Sequence, residues 1–183
     1  MAITFVLGGA RSGKSSFAER YVAKASTASE EIPRPVVYLA TAQALDEEMK
    51  TRIGVHQAQR PSDWLTIEEP LNLPRVLTEL AQWPVHPVIL IDCLSLLLSN
   101  WMSASYDIQE QMESLLAALQ AYPATVFVVS NEVGFGIVPA NAMAREYRDW
   151  LGWFNQSVAA KAQSVLFVVA GIPIDLRKLE VQW

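Results

Sequence analysis

The sequence predicts an α/β layered fold with a mainly parallel central sheet, and three observations carry that prediction. Apolar, β-prone runs alternate with helix-like stretches along the chain, the order that parallel strands with helical crossovers require. Several of these runs are apolar on both faces, as strands of a sheet covered on both sides must be. A glycine-rich segment, residues 8–15, joins the first run to the first helix-like stretch. A length of 183 residues, 51% apolar and 18% charged, supplies one sizeable core, so residues 1–183 are expected to form a single domain.

In chain order, the expected strands are 3–7, 36–40, 64–67, 88–91, 125–130 and 165–170. The expected helices are 14–25, 45–60, 74–83, 108–121 and 140–162. In the 45–60 stretch, Leu45, Met49 and Ile53 share one face at about 100° per residue, and Pro61 ends it. Residues 26–35 read as a polar, proline-containing connector, and residues 99–107 as an exposed loop between helices. Neither is long enough to divide the chain.

Composition removes several classes of function. A net charge of −5 argues against a wholesale nucleic-acid binder. The six tryptophans (Trp64, Trp83, Trp101, Trp150, Trp153, Trp183) are scattered rather than interleaved with basic residues, so they read as packing or subunit contact, not base stacking. The single cysteine, Cys93, excludes an intramolecular disulfide, which fits a cytoplasmic location; with only two histidines it also argues against zinc. The longest clean apolar run, 165–172, falls far short of the roughly 20 residues of a spanning helix. The N-terminus lacks a basic n-region, so no signal peptide and no membrane span are expected.

The strongest chemical signal is Gly8-Gly9-Ala10-Arg11-Ser12-Gly13-Lys14-Ser15, which fits G-x-x-x-x-G-K-[ST] between a strand and a helix. Glycines let the backbone curl so that several N–H groups face phosphate oxygens, and the helix N-terminus adds positive potential. Lys14 is placed to reach the β- and γ-phosphates, and the Ser15 hydroxyl to ligate Mg²⁺. A plain glycine-rich turn is the alternative. Val88-Ile89-Leu90-Ile91-Asp92 is an apolar strand ending in a carboxylate at the same rim, where Asp92 either helps to hold Mg²⁺ or caps the next helix. Asn131-Glu132 ends another apolar run at that rim; the pair could sense phosphate, orient a water or cap the turn at Gly134. No N-K-x-D guanine motif is present.

Within 45–60, Arg52, His56 and Arg60 follow i, i+4, i+8 spacing and form one line. Two guanidiniums flanking an imidazole make an anion-binding strip and favour neutral His56, the nucleophilic form. Such an imidazole can attack phosphorus and hold it covalently. A packed or solvated histidine is the plainer reading of the same spacing. His86, in Trp83-Pro84-Val85-His86-Pro87, reads as part of a turn.

These residues together resemble the bifunctional adenosylcobinamide kinase / adenosylcobinamide-phosphate guanylyltransferase family. The resemblance runs from the 8–15 cradle through Tyr38-Leu39-Ala40-Thr41-Ala42-Gln43, then Asp46-Glu47-Glu48-Met49, Arg52-Ile53, His56, Arg60-Pro61 and Trp64. It continues with Ile91-Asp92-Cys93-Leu94-Ser95, Asn100 and the diagnostic 130–139 stretch SNEVGFGIVP. Asn141, Arg145, Arg148-Asp149, Asn155-Gln156 and Val168-Val169-Ala170-Gly171 complete it. Some relatives carry two adjacent histidines where this chain has Val55-His56, and some end the β-run with Glu where it has Asp92.

The resemblance implies a P-loop NTPase, RecA-like three-layer fold and a homotrimer. It implies phosphorylation of the aminopropanol hydroxyl of adenosylcobinamide by ATP or GTP, followed by GMP transfer from GTP to adenosylcobinamide phosphate through a histidine-bound intermediate, here on His56. By the same carry-over, Thr41, Ala42, Gln43, Gln57, Ala58, Gln59, Arg60, Glu68 and Asp92 join Gly8 to Ser15 in nucleotide binding. Because the cradle presents the γ-phosphate while His56 must meet the α-phosphate, either the 45–60 helix moves or GTP binds in two ways. Two other readings stand beside this one: a simple P-loop kinase that does not need His56, and a nucleotide-binding oligomerisation module without group transfer.

Overall fold

The computed structural model describes residues 2–27, 34–44, 47, 50, 51, 54, 57 and 60–181. A seven-stranded sheet organises them. Its strands are β1 (Ala2–Gly8), β2 (Val36–Ala40), β3 (Leu65–Glu68), β4 (Val88–Asp92), β5 (Thr125–Asn131), β6 (Ser164–Val169) and β7 (Ile172–Asp175), in the order β3-β2-β4-β5-β1-β6-β7. All pairings are parallel except that of β7 with β6. The register sets Gly8 opposite Asn131, and Ala40 opposite both Asp92 and Glu68, so these strand ends share one rim.

The helices are α1 (Lys14–Thr27), α2 (Leu73–Leu80), α3 (Leu94–Ser103), α4 (Ile108–Ala121) and α5 (Ala142–Lys161). Strand alternation assigns side chains to two cores. Ile3, Phe5, Val37, Leu39, Ile89 and Ile91 point to the side packed by α2 to α5. Val6, Val36, Tyr38, Val88 and Leu90 point to the side packed by Ala18 and Val22 of α1. Doubly apolar strands thus have a physical cause, and the three-layer α/β expectation is met. No helix among the described residues is long and apolar enough to cross a membrane.

Three departures are informative. The loop expected at 99–107 begins inside a helix: Leu94, Leu97, Leu98 and Trp101 follow helical spacing, are fully buried, and make α3. The nearly continuous apolar run Leu94-Ser95-Leu96-Leu97-Leu98 hid that periodicity. β7 was missed because it is short, contains Pro173 and is largely exposed at the sheet edge. The helix expected to start at residue 140 starts after Asn141, whose side chain accepts from the Met143 and Ala144 amides at 2.8 and 3.3 Å. Of the 45–60 helix, Glu47, Lys50, Thr51, Gly54 and Gln57 are helical; Ala58, Gln59, Arg52 and His56 lie outside the described residues.

Candidate nucleotide site

The cradle is shaped by backbone necessity. Arg11 and Gly13 take left-handed φ values of 57° and 89°. A Cβ on Gly8 would strike the Ser12 hydroxyl and the Val168 carbonyl. Ser12 in turn accepts the Gly171 amide at 2.8 Å, so the β6–β7 turn props the cradle from behind. The Ser12 hydroxyl itself is buried without a partner, an orphan donor in a segment suited to phosphate.

Lys14 opens α1 and folds back so that Nζ donates to the Gly9 carbonyl at 3.2 Å. Burial lowers its pKa, and the neighbouring Cys93 and Asp92 oppose that effect. Ala10, Arg11, Ser12, Gly13, Lys14 and Ser15 line a cavity of about 620 Å³ together with Tyr38, Ala42, Arg60, Glu68, Asp92, Leu96 and Asn131. The cradle, the end of β4 and the end of β3 therefore share one space, the crevice at strand C-termini where α/β sheets bind ligands.

Asp92 does not cap α3, whose N-cap Cys93 makes no side-chain cap bond. Its Oδ2 instead accepts from the Tyr38 hydroxyl at 2.9 Å. Burial, with the Asp92 charge second, raises the pKa of that phenol. The other face of Tyr38 carries Arg60, with the guanidinium carbon 3.5 Å from the ring centroid. Arg60 Nη1 donates to Thr66 Oγ1 at 3.3 Å, while its Nε is buried without a partner. Gln57 Nε2 donates to Glu68 Oε1 at 3.2 Å, which ties a helical residue of the 45–60 stretch to the cavity wall.

One expected ligand-binding side chain points elsewhere. Thr41 is fully buried; its hydroxyl donates to the Cys93 carbonyl at 2.7 Å and accepts from the Cys93 amide at 2.8 Å. It fastens the end of β2 to the end of β4 instead of facing the cavity. Gln43 is not among the lining residues, and Gly8 and Gly9 build the cradle from beneath its lining. Glu132 Oε1 accepts the Gly134 amide, the turn-capping alternative.

For a divalent cation, the hydroxyl of Ser15 at the end of the cradle and the carboxylate of Asp92 at the end of β4 are the paired oxygens on the cavity wall, and the described residues hold no cluster of three acidic, histidine or cysteine side chains. That sparse oxygen set fits Mg²⁺, which keeps waters and takes its remaining ligands from substrate phosphates.

Tyr38 was missed as a site residue because it lies inside an apolar strand and reads as core; Gly171 was missed because its contact is made across the fold. Sequence spacing carries no signal for either role.

A glycine-rich cradle on the first strand of a mostly parallel sheet, with a strand-end carboxylate across the cavity, defines a P-loop NTPase-like α/β protein. The chain matches the profile of the cobinamide kinase / cobinamide phosphate guanyltransferase family over residues 4–176, and it belongs to that enzyme family. It is 42% identical to the bifunctional adenosylcobalamin biosynthesis protein CobP of Pseudomonas aeruginosa, over 94% of this chain and 95% of the relative. It is 37% and 38% identical to the bifunctional adenosylcobalamin biosynthesis proteins CobU of Escherichia coli and Salmonella typhimurium, in each case over 94% of this chain and 98% of the relative.

Proposed function

We propose that this protein performs both reactions of its family in cobalamin biosynthesis. It phosphorylates the aminopropanol hydroxyl of adenosylcobinamide with ATP or GTP. It then transfers GMP from GTP to adenosylcobinamide phosphate, giving adenosylcobinamide-GDP and pyrophosphate. The observation that carries the reading is the shared cavity: cradle, Asp92, Arg60 and Glu68 line one space in a chain that matches the family almost end to end.

In the kinase step, the acceptor hydroxyl attacks the γ-phosphorus and gives up its proton to water, the bond from that phosphorus to the β–γ bridging oxygen breaks, and the nucleoside diphosphate leaves, while the cradle amides and Lys14 take up charge on the β- and γ-oxygens. Bound at Ser15 and Asp92, Mg²⁺ would supply charge neutralisation on those same oxygens. Tyr38 holds the Asp92 carboxylate toward the cavity, and Arg60, stacked above it, offers its unpartnered Nε to a phosphate or base.

In the nucleotidyl step, the neutral imidazole of His56 attacks the α-phosphorus. A P–N bond forms, the α–β P–O bond breaks, and pyrophosphate leaves. The phosphate of the acceptor then attacks the same phosphorus and frees the imidazole. Splitting the transfer this way replaces one difficult displacement by two easier ones. The γ-transfer and α-transfer require either two placements of GTP or movement of the 45–60 segment. A homotrimer is part of the proposal, supported by the exposed apolar residues Phe135, Ile137 and Val138 after β5 and Ile172 on β7, a kind of surface that subunit contacts cover.

The test is incubation with Mg²⁺ and GTP labelled at the α-phosphate, followed by denaturation, for the wild type and His56→Ala. A protein-bound label that survives base, is lost in acid and is absent from the variant is expected. Intact nucleotide binding with no label in the wild type would leave a simple kinase.

A further inference from the structure

A second cavity, of about 590 Å³, lies between the C-terminal half of α3 and the first turns of α5. Met102, Tyr106, Met143 and Tyr147 give it apolar and aromatic walls, and Ser99 and Ser103 contribute hydroxyls. This mixture of apolar walls with a few placed polar groups is typical of small-molecule sites. Met143 and Tyr106, 68% and 45% exposed, are large side chains left partly uncovered among the described residues.

Two connections join this cavity to the nucleotide site. Leu96, Ser99 and Ser103 lie three and seven residues apart, along one face of α3. Leu96 lines the first cavity and Ser99 the second, with their Cα atoms only about 4.5 Å apart along the helix axis. The wall between them is a hydrogen-bonded unit: the Tyr147 hydroxyl donates to the Ser95 carbonyl at 3.0 Å, and Asn131 Nδ2 donates to Ser95 Oγ at 2.8 Å. Tyr147 faces the second cavity and Asn131 the first.

Size argues that the acceptor's ring lies outside the nucleotide cavity, and adjacency points to the second cavity. The nucleotide cavity, about 620 Å³, is of the order that one small molecule fills. An acceptor built as a large ring fringed with amide side chains cannot share it with a nucleoside triphosphate. Only a flexible arm bearing the reacting hydroxyl has to enter, so the ring must rest on an adjoining surface.

Resting on the transferase reading above, we propose that the second cavity is the acceptor subsite. It takes the amide-fringed macrocycle of the corrinoid. Met102, Tyr106 and Met143 lie against apolar ring edges, Ser99 and Ser103 hydrogen-bond side-chain amides, and the aminopropanol arm passes Leu96 and Asn131 to the cradle.

The experiment measures KM for adenosylcobinamide and for GTP in Ser99→Trp, which fills the cavity, and in Tyr106→Ala, which removes one wall. Retention of adenosylcobinamide in equilibrium dialysis without nucleotide is followed alongside, by visible absorbance. Both variants are expected to raise the acceptor KM at least about tenfold and to weaken retention equally, with the GTP KM within about twofold of wild type. An acceptor KM and retention within about twofold of wild type in the folded variants overturn the proposal; should Ser99→Trp fail to fold, Tyr106→Ala decides alone. A change in subunit number with unchanged acceptor binding also overturns it, because a second copy then covers the cavity. Dialysis needs no turnover, so a wild type that retains adenosylcobinamide without phosphorylating it or converting its phosphate to the GDP derivative refutes the function and leaves the subsite standing.

Discussion

The Tyr38 hydroxyl holds Asp92 Oδ2 at 2.9 Å while the opposite aspect of the same side chain, its ring face, carries the Arg60 guanidinium at 3.5 Å. One strand residue thus positions a carboxylate and a guanidinium of the cavity at once. The two functions separate by mutation. Tyr38→Phe keeps the ring under Arg60 and frees the carboxylate; it is expected to lower the rate of the kinase step about tenfold, the scale of one hydrogen bond to a charged group, with nucleotide affinity nearly unchanged. Tyr38→Leu removes both and should also weaken GTP binding severalfold. Single-turnover kinetics and isothermal titration with GTP read the two effects separately. A Phe variant with wild-type rates would mean that the hydroxyl does not orient Asp92.

The two glycines that open the cradle are predicted to differ sharply. A methyl group on Gly8 meets the Ser12 hydroxyl and the Val168 carbonyl, and the carbonyl is backbone that cannot swing aside. A methyl group on Gly9 meets nothing within 4 Å. Gly8→Ala should therefore cost about 1–3 kcal/mol in unfolding free energy, while Gly9→Ala stays within about 0.5 kcal/mol of wild type. Urea denaturation of the two variants checks this. Equal losses would show that the cradle relaxes around Gly8.

The layered sheet was legible because local and global signals agree in it: strands such as β2 and β4 are apolar on both faces, and the structure gives each face its own core. The cradle was legible for a different reason, since its chemistry is local and depends on consecutive backbone amides. α3 was not legible, because leucines at 94, 96, 97 and 98 make an almost continuous apolar run in which the 3.6-residue period is short-lived. Thr41 shows a further limit. The family resemblance places it in nucleotide binding, but only the packing of the end of β2 against the end of β4 reveals that its hydroxyl bonds the Cys93 backbone.

Trp101 tests how much the helical side of the core depends on α3. It is fully buried, lies 5.7 Å from the Phe154 ring in a stacked arrangement, and donates Nε1–H to the Leu71 carbonyl at 2.8 Å. It therefore links α3 to α5 and to the segment leading into α2. Trp101→Ala should destabilise the protein by about 3–5 kcal/mol through cavity formation and a carbonyl left without its donor. Trp101→Phe keeps most of the volume and should cost roughly half as much or less. Chemical denaturation gives both values; an Ala variant within about 1 kcal/mol of wild type would mean that the helices close over the gap.

Cys93 carries the pH prediction. Burial, followed by the charge of Asp92, pushes its thiol up to about 11, against the Ser95 hydrogen bond and Lys14, which act the other way. The folded state thus binds its proton more tightly than the unfolded chain, whose thiol titrates near 9.0. This thiol's contribution to stability is therefore complete below about pH 9 and is lost as pH rises toward about 11. Cys93→Ala, which has no proton to lose, should show a shallower fall in stability across that window, measured by urea midpoints at successive pH values. In the native protein at neutral pH the thiol should resist alkylation and react only after denaturation. Rapid labelling of native protein at pH 7 would show that the thiol is neither buried nor raised.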